Sequence, residues 1–90
     1  MDVSHEVLLS DQSTSPNALQ QWLVDYIAKL LKLSTDSVDI DEQLVFLGLS
    51  SIQAVTLTAD LEKHLERSVD PAVLWECPTI RRLAHRLSAD

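Results

Sequence analysis

The sequence predicts an all-α fold, a four-helix bundle with three main helices and a short third helix between the second and the last. Three observations predict it: apolar residues recur at spacings of three and four in three segments, no segment reads convincingly as a β-strand, and residues suited to helix capping stand where those segments begin. A chain of 90 residues has room for one small core and no second domain. The hydrophobic share is 46%, yet the aromatic residues are only Trp22, Tyr26, Phe46 and Trp75, so Leu, Val, Ile and Ala must fill that core.

Taken in order, residues 1–15 carry only the short Val7-Leu8-Leu9 patch before Asp11-Gln12-Ser13-Thr14, and are expected to be a tail or linker with little fixed structure. The folded domain is expected over residues 16–88. Ser15-Pro16 is a helix start, with Ser as N-cap and Pro in the first turn, where its missing N–H removes no helical bond. Leu19, Leu23, Ile27, Leu30 and Leu31 then mark a first helix to about Lys32. Residues 33–50 show no helical stripe, but Val38, Ile40, Leu44, Phe46 and Leu47 are too apolar for a free linker. A long ordered loop pinned to the core is expected, ending at Gly48, the only glycine, where a positive φ can lead into the next helix.

That second helix begins at Ser50 or Ser51 and reaches about Arg67. At 100° per residue it carries two apolar stripes. Ala54, Leu57, Thr58, Leu61 and Leu65 share one face. Ile52, Val55 and Ala59 lie on roughly the opposite face, with Glu62 and Glu66 further along the same line. One stripe suffices to reach the core of a small bundle, so the second is either ordinary exposed apolar surface or a docking face. Ser68-Val69-Asp70-Pro71 ends the helix, Pro71 to Trp75 allow one short turn, and Cys77-Pro78 interrupts again. Thr79 caps the last helix, whose buried stripe is Ile80, Leu83, Ala84 and Leu87.

Charge and motifs exclude several functions. A formal charge of -7 disfavours nucleic acid, because backbone phosphates would be repelled. The acids Asp36, Asp39, Asp41, Glu42, Asp60, Glu62 and Glu66 face only one basic residue, Lys63, between positions 33 and 66, whereas Arg81, Arg82 and Arg86 cluster near the end. One side of the domain should be negative and meet basic partners. No apolar run is long enough for a bilayer and the first residues lack a leader pattern, so no membrane partner and a cytoplasmic location are expected. Cys77 stands alone and reads as a packed side chain. The acids at 36–42 lack the central glycine and closing glutamate of a calcium loop, His5, His64 and His85 are scattered, and no Cys/His spacing suits zinc, so no metal site is expected. A hydrolase elbow fails because Ile52 stands where a second glycine is required.

Gly48-Leu49-Ser50-Ser51-Ile52 puts hydroxyls at a helix N-terminus, where the dipole and free N–H groups favour an anion. Taken alone, both serines could equally be plain caps. The run Phe46-Leu47-Gly48-Leu49-Ser50-Ser51-Ile52-Gln53-Ala54-Val55, however, resembles the attachment motif of acyl and peptidyl carrier proteins, usually Leu-Gly-x-Asp-Ser-Leu. Asp41, Leu57, Leu61, Leu74-Trp75-Glu76 and Pro78-Thr79-Ile80 with Leu83-Ala84 extend the likeness over about Pro16 to Leu87. The resemblance implies a carrier without catalytic activity of its own, holding acyl intermediates as thioesters on a 4'-phosphopantetheine arm at Ser51. It implies loading from coenzyme A by a phosphopantetheinyl transferase, and service to ketosynthase, acyltransferase or acyl-activating ligase domains of polyketide or related fatty-acyl synthesis. By the same resemblance, partners read Leu49, Ser50, Ile52, Val55, Thr56, Ala59, Glu62 and Glu66. An isolated domain of this kind is expected to be monomeric.

The sequence departs from the family at Ser50, where Asp is usual, which puts metal-assisted loading and partner choice in question. The absence of His before Ser51 leans away from peptidyl carriers, and Gln53-Ala54-Val55 leans toward polyketide-type ones. A peptidyl carrier domain of a non-ribosomal synthetase is one alternative reading. An unmodified helical interaction module, its outer stripe binding a partner helix, is another. A free-standing carrier and a domain of a larger synthase are both compatible with the sequence.

Overall fold

In the computed structural model, which describes residues 15–89, the first helix, α1, spans Pro16–Leu31. Ser15 is its N-cap with an extended backbone, and its hydroxyl accepts the Ala18 N–H at 3.1 Å. A cap of this kind contributes about 1 kcal/mol. The helix stops at Lys32, which is left-handed at φ 59°, and the Leu33 N–H reaches back to the Ala28 carbonyl at 2.8 Å. That closure normally uses glycine, and here a lysine bears the strain. The tail expected over residues 1–15 falls, apart from Ser15, outside the described residues.

The connection from 33 to 50 is ordered, but it is not all loop. A 3-10 turn covers Thr35–Ser37, and a short helix, α2, covers Leu44–Leu47. A single turn has no room for the repeat that reveals a helix in sequence, so α2 was invisible to periodicity. Buried Val38 and Leu44 pin the segment to the core. Phe46, expected to help pin it, is 71% exposed instead, because α2 buries only Leu44. Three polar ties add to the apolar anchors: Leu44 N–H to the Pro78 carbonyl at 2.8 Å, Arg81 N–H to the Ile40 carbonyl at 3.0 Å, and an Arg81–Asp41 pair at 2.6 and 3.1 Å. The loop that leads to the serines is thereby fastened to the start of the last helix.

Helix α3 spans Ser51–Leu65 and buries Ala54, Leu57, Thr58 and Leu61. Thr58, the one buried polar side chain among the described residues, donates to the Ala54 carbonyl at 2.9 Å and so leaves no orphan group. Leu65 is only partly buried against the core. Helix α4 covers Val73–Glu76, and α5 covers Ile80–Ala89. The Thr79 hydroxyl accepts the Arg82 N–H at 3.2 Å, as an N-cap does. Ile80, Leu83 and Ala84 are fully buried and Leu87 nearly so. Their stripe meets Leu19, Leu23 and Ile27 of α1 and Leu57 and Leu61 of α3 in one aliphatic core; α1 and α5 share the most extensive packing. Replacing any of these leucines by Ala would cost about 2–5 kcal/mol. Among the described residues there is no strand, only an isolated bridge between Gln43 and Thr79.

Candidate functional site

Gly48 makes the site possible. It caps α2 at φ 111°, donating to the Leu44 and Val45 carbonyls, and turns the chain so that α3 starts three residues later. No atom would obstruct a Cβ there, so the requirement for glycine is conformational rather than steric. Leu49 then points partly inward against the core, which fixes the two serines that follow at the surface.

The serines take different roles. Ser50 is the N-cap of α3: its hydroxyl accepts the Gln53 N–H at 3.1 Å, and the Gln53 side chain accepts the Ser50 N–H at 3.0 Å. This reciprocal capping box satisfies two donors at once. Ser51, the first residue inside the helix, is exposed and its hydroxyl is not used by the cap. The N–H groups of Ser51 and Ile52 have no protein acceptor among the described residues. An anion on Ser51 would meet those donors and the positive end of a 15-residue helix.

Beside the serines opens a groove of about 340 Å³, walled by Leu44, Val45, Leu49, Ala54, Leu74 and Trp75. Its wall is mainly apolar, and the serines stand on its rim. The chemistry present fits a phosphopantetheine: a free hydroxyl to esterify, unpaired N–H donors beside it, and open surface around it. The arm would supply a terminal thiol for thioester chemistry, and Ser51 would be the side chain to hold it.

The other residues expected at the site divide into two groups. Ile52 at 79% and Val55 at 64% exposure share one face of α3 with exposed Thr56 and Ala59. The Thr56 hydroxyl donates to the Ile52 carbonyl at 3.1 Å and leaves this face largely apolar. Glu66 is exposed at the left-handed cap of α3, φ 57°. Glu62 differs, because it is half-buried and its carboxylate accepts the Val69 N–H at 2.8 Å, tying the α3–α4 connection to the helix. Sequence reasoning missed Val45, Phe46 and Trp75, which are 50%, 71% and 64% exposed. Their only signal was that three large apolar residues lie in segments too short for a second buried face.

Charge is arranged unevenly. The Arg81 guanidinium hydrogen-bonds the Asp41 carboxylate and holds it below the usual carboxylate range, so Asp41 is not a spare negative charge for partners. On the flank of α3, Tyr26 donates to Asp60 at 2.5 Å; burial, then that bond, push its hydroxyl up to about 12. Trp22 stacks between Tyr26 and His64, with centroids 5.1 and 4.6 Å apart. Cys77 is buried and free. No cluster of potential metal ligands occurs among the described residues, and no helix there is long and apolar enough to cross a membrane.

Residues 21–87 match the family described as the phosphopantetheine attachment site. The chain is 44% identical over 71 residues to a phenolphthiocerol/phthiocerol polyketide synthase of Mycobacterium tuberculosis; the match covers 79% of this chain and 4% of that protein. Among solved structures it is similar to an acyl carrier protein from Anabaena sp. PCC 7120 with a variant phosphopantetheinylation-site sequence, at 35% identity and TM-score 0.79, covering 83% of this chain and 85% of that one. It is also similar to a free-standing peptidyl carrier protein from Acinetobacter baumannii, at 28% identity and TM-score 0.80, covering 84% and 95%. A motif in register, a matching bundle and a polyketide synthase relative lead to one assignment: the chain belongs to the phosphopantetheine-binding carrier family, as a carrier domain of the polyketide synthase type.

Proposed function

We propose that Ser51 is the attachment residue and that this domain holds acyl intermediates of polyketide-type assembly on its arm, offering them to partner domains across Ile52, Val55, Thr56 and Ala59. The observation that carries the reading is the division of labour between the serines. Ser50 is committed to the cap, whereas Ser51 presents an unused hydroxyl beside two unpaired N–H groups. The polyketide assignment of the cargo is supported by the 44% identity to a polyketide synthase. The resemblance of the fold to a peptidyl carrier makes an aminoacyl cargo the second reading. A phosphopantetheinyl transferase would load the serine, and ketosynthase and acyltransferase domains would use the product, at a cytoplasmic location.

Incubation with coenzyme A, Mg²⁺ and a broad-specificity transferase is expected to add one phosphopantetheine by intact-protein mass. Ser51→Ala should abolish the addition, while Ser50→Ala should keep it. No addition, or addition that survives Ser51→Ala, overturns the assignment. Loading the arm with malonyl or aminoacyl groups by their dedicated enzymes separates the two cargo readings.

A further inference from the structure

We propose that Ser50, beyond capping α3, anchors the phosphodiester of the arm by donating its hydroxyl proton to it; the proposal rests on attachment at Ser51. The capping box determines which of its atoms remain available. The Ser50 N–H is taken by the Gln53 side chain and the Ser50 oxygen receives the Gln53 N–H. What the box leaves over is one donor, the Ser50 hydroxyl proton, next in sequence to the oxygen that would be esterified. A serine oxygen accepts and donates at once, and acceptance from Gln53 does not consume its proton. The N–H groups of Ser51 and Ile52 are the other two donors at this helix end without a protein acceptor among the described residues. Three donors at this helix end are therefore left for one expected anion, and hydrogen bonds to a charged acceptor are the stronger kind.

An aspartate in place of Ser50 would cap the helix equally well, yet an ionised carboxylate is an acceptor only. It would offer the phosphodiester no proton and would add like charge at close range. At this position serine thus changes the electrostatics of the attachment point while leaving the helix start intact. The arm's first group is held against α3 rather than left to swing from the serine oxygen alone. Ser50 is in this sense a positioning residue.

The test uses the loaded protein and reads the phosphorus directly. In wild type, loading should shift the Ser51 and Ile52 amide protons downfield, and the ³¹P resonance should differ in position and width from that of the same protein unfolded in urea. Ser50→Thr keeps both cap and donor and should leave the ³¹P signal where wild type has it. Ser50→Asp and Ser50→Gly keep a helix start without a side-chain donor, and should move the signal toward the urea position and narrow it, with helicity by circular dichroism unchanged. A ³¹P signal unchanged in Ser50→Asp and Ser50→Gly, or amide protons unmoved in wild type, overturns the role of Ser50 alone. Failure of wild type to gain mass overturns the attachment itself and this role with it.

Discussion

Tyr26 is the chain's only tyrosine, so its ionisation can be followed without interference. Its hydroxyl is neutral when protonated, and burial with the bond to Asp60 raises its folded pKa to about 12 from an unfolded value of about 10. A raised pKa means that the folded protein holds this proton more tightly. The resulting stability is complete below pH 10 and is lost as pH climbs from about 10 to 12. Absorbance of the tyrosinate should show a midpoint near 12 in the folded protein and near 10 in urea; coincident midpoints would refute the Tyr26–Asp60 bond. Tyr26→Phe should cost about 1–2 kcal/mol in denaturant unfolding, since it removes a hydrogen bond to a carboxylate. Glu62 carries a second prediction at this scale. Its carboxylate occupies the Val69 N–H, so Glu62→Ala should destabilise by roughly 1–3 kcal/mol through the donor it leaves unpaired. A loss of partner affinity in Glu62 variants would therefore mix folding with recognition, and Glu66 is the cleaner probe.

Backbone conformation at helix ends decides the elements. Lys32 and Glu66 are left-handed non-glycine caps, and a side chain in that region costs about 1–2 kcal/mol. Lys32→Gly should relieve this and, after the added freedom of the unfolded chain, still raise stability by about 0.5 kcal/mol. At Gly48 the reverse holds: Gly48→Ala should cost about 1 kcal/mol although its Cβ meets nothing. Thermal or denaturant unfolding checks both, and a neutral Gly48→Ala would remove the reason for glycine there. These details also show what sequence could reveal. The three long helices were legible because each exceeds two turns and repeats its apolar residues: Leu19, Leu23 and Ile27, then Ala54, Leu57 and Leu61, then Ile80, Leu83 and Leu87. Gly48 was legible as a turn because it is the only glycine, the residue type that takes a positive φ most readily. Helix α2 was not, since four residues cannot show a period, and hydrophobicity alone placed Phe46 inside when it lies outside. Glu62 was misjudged for a related reason. Helical phase set it on the outer line, but its partner comes from Val69, beyond the helix, where phase carries no information.

At the scale of the molecule, the bundle separates a buried and tied interior from the face proposed to meet partners. The aliphatic core and the ties from Ile40, Asp41 and Leu44 to Pro78 and Arg81 hold the attachment loop on a rigid body. Outside it, Ile52 and Val55 on α3 stand exposed, as do Phe46 on α2 and Trp75 on α4. Apolar contact should supply most of the affinity of partner domains, and the acidic surface should set the rate of encounter with basic ones. The two contributions predict different signatures. Val55→Asp removes a 64% exposed side chain from a face with no internal duty, so it should leave loading and helicity intact while weakening acyl transfer to a partner domain about 5–30-fold, the equivalent of 1–2 kcal/mol of lost burial. Glu66→Lys should act on association instead: KM for the loaded carrier rises at low salt, and the difference from wild type shrinks as ionic strength approaches 1 M, where screening reaches about 3 Å. Both variants are measured as loaded protein with one ketosynthase or acyltransferase partner across a salt series. Transfer by Val55→Asp at the wild-type rate would make the outer stripe incidental, and a salt-independent defect in Glu66→Lys would mean that contact, not steering, is lost at that position.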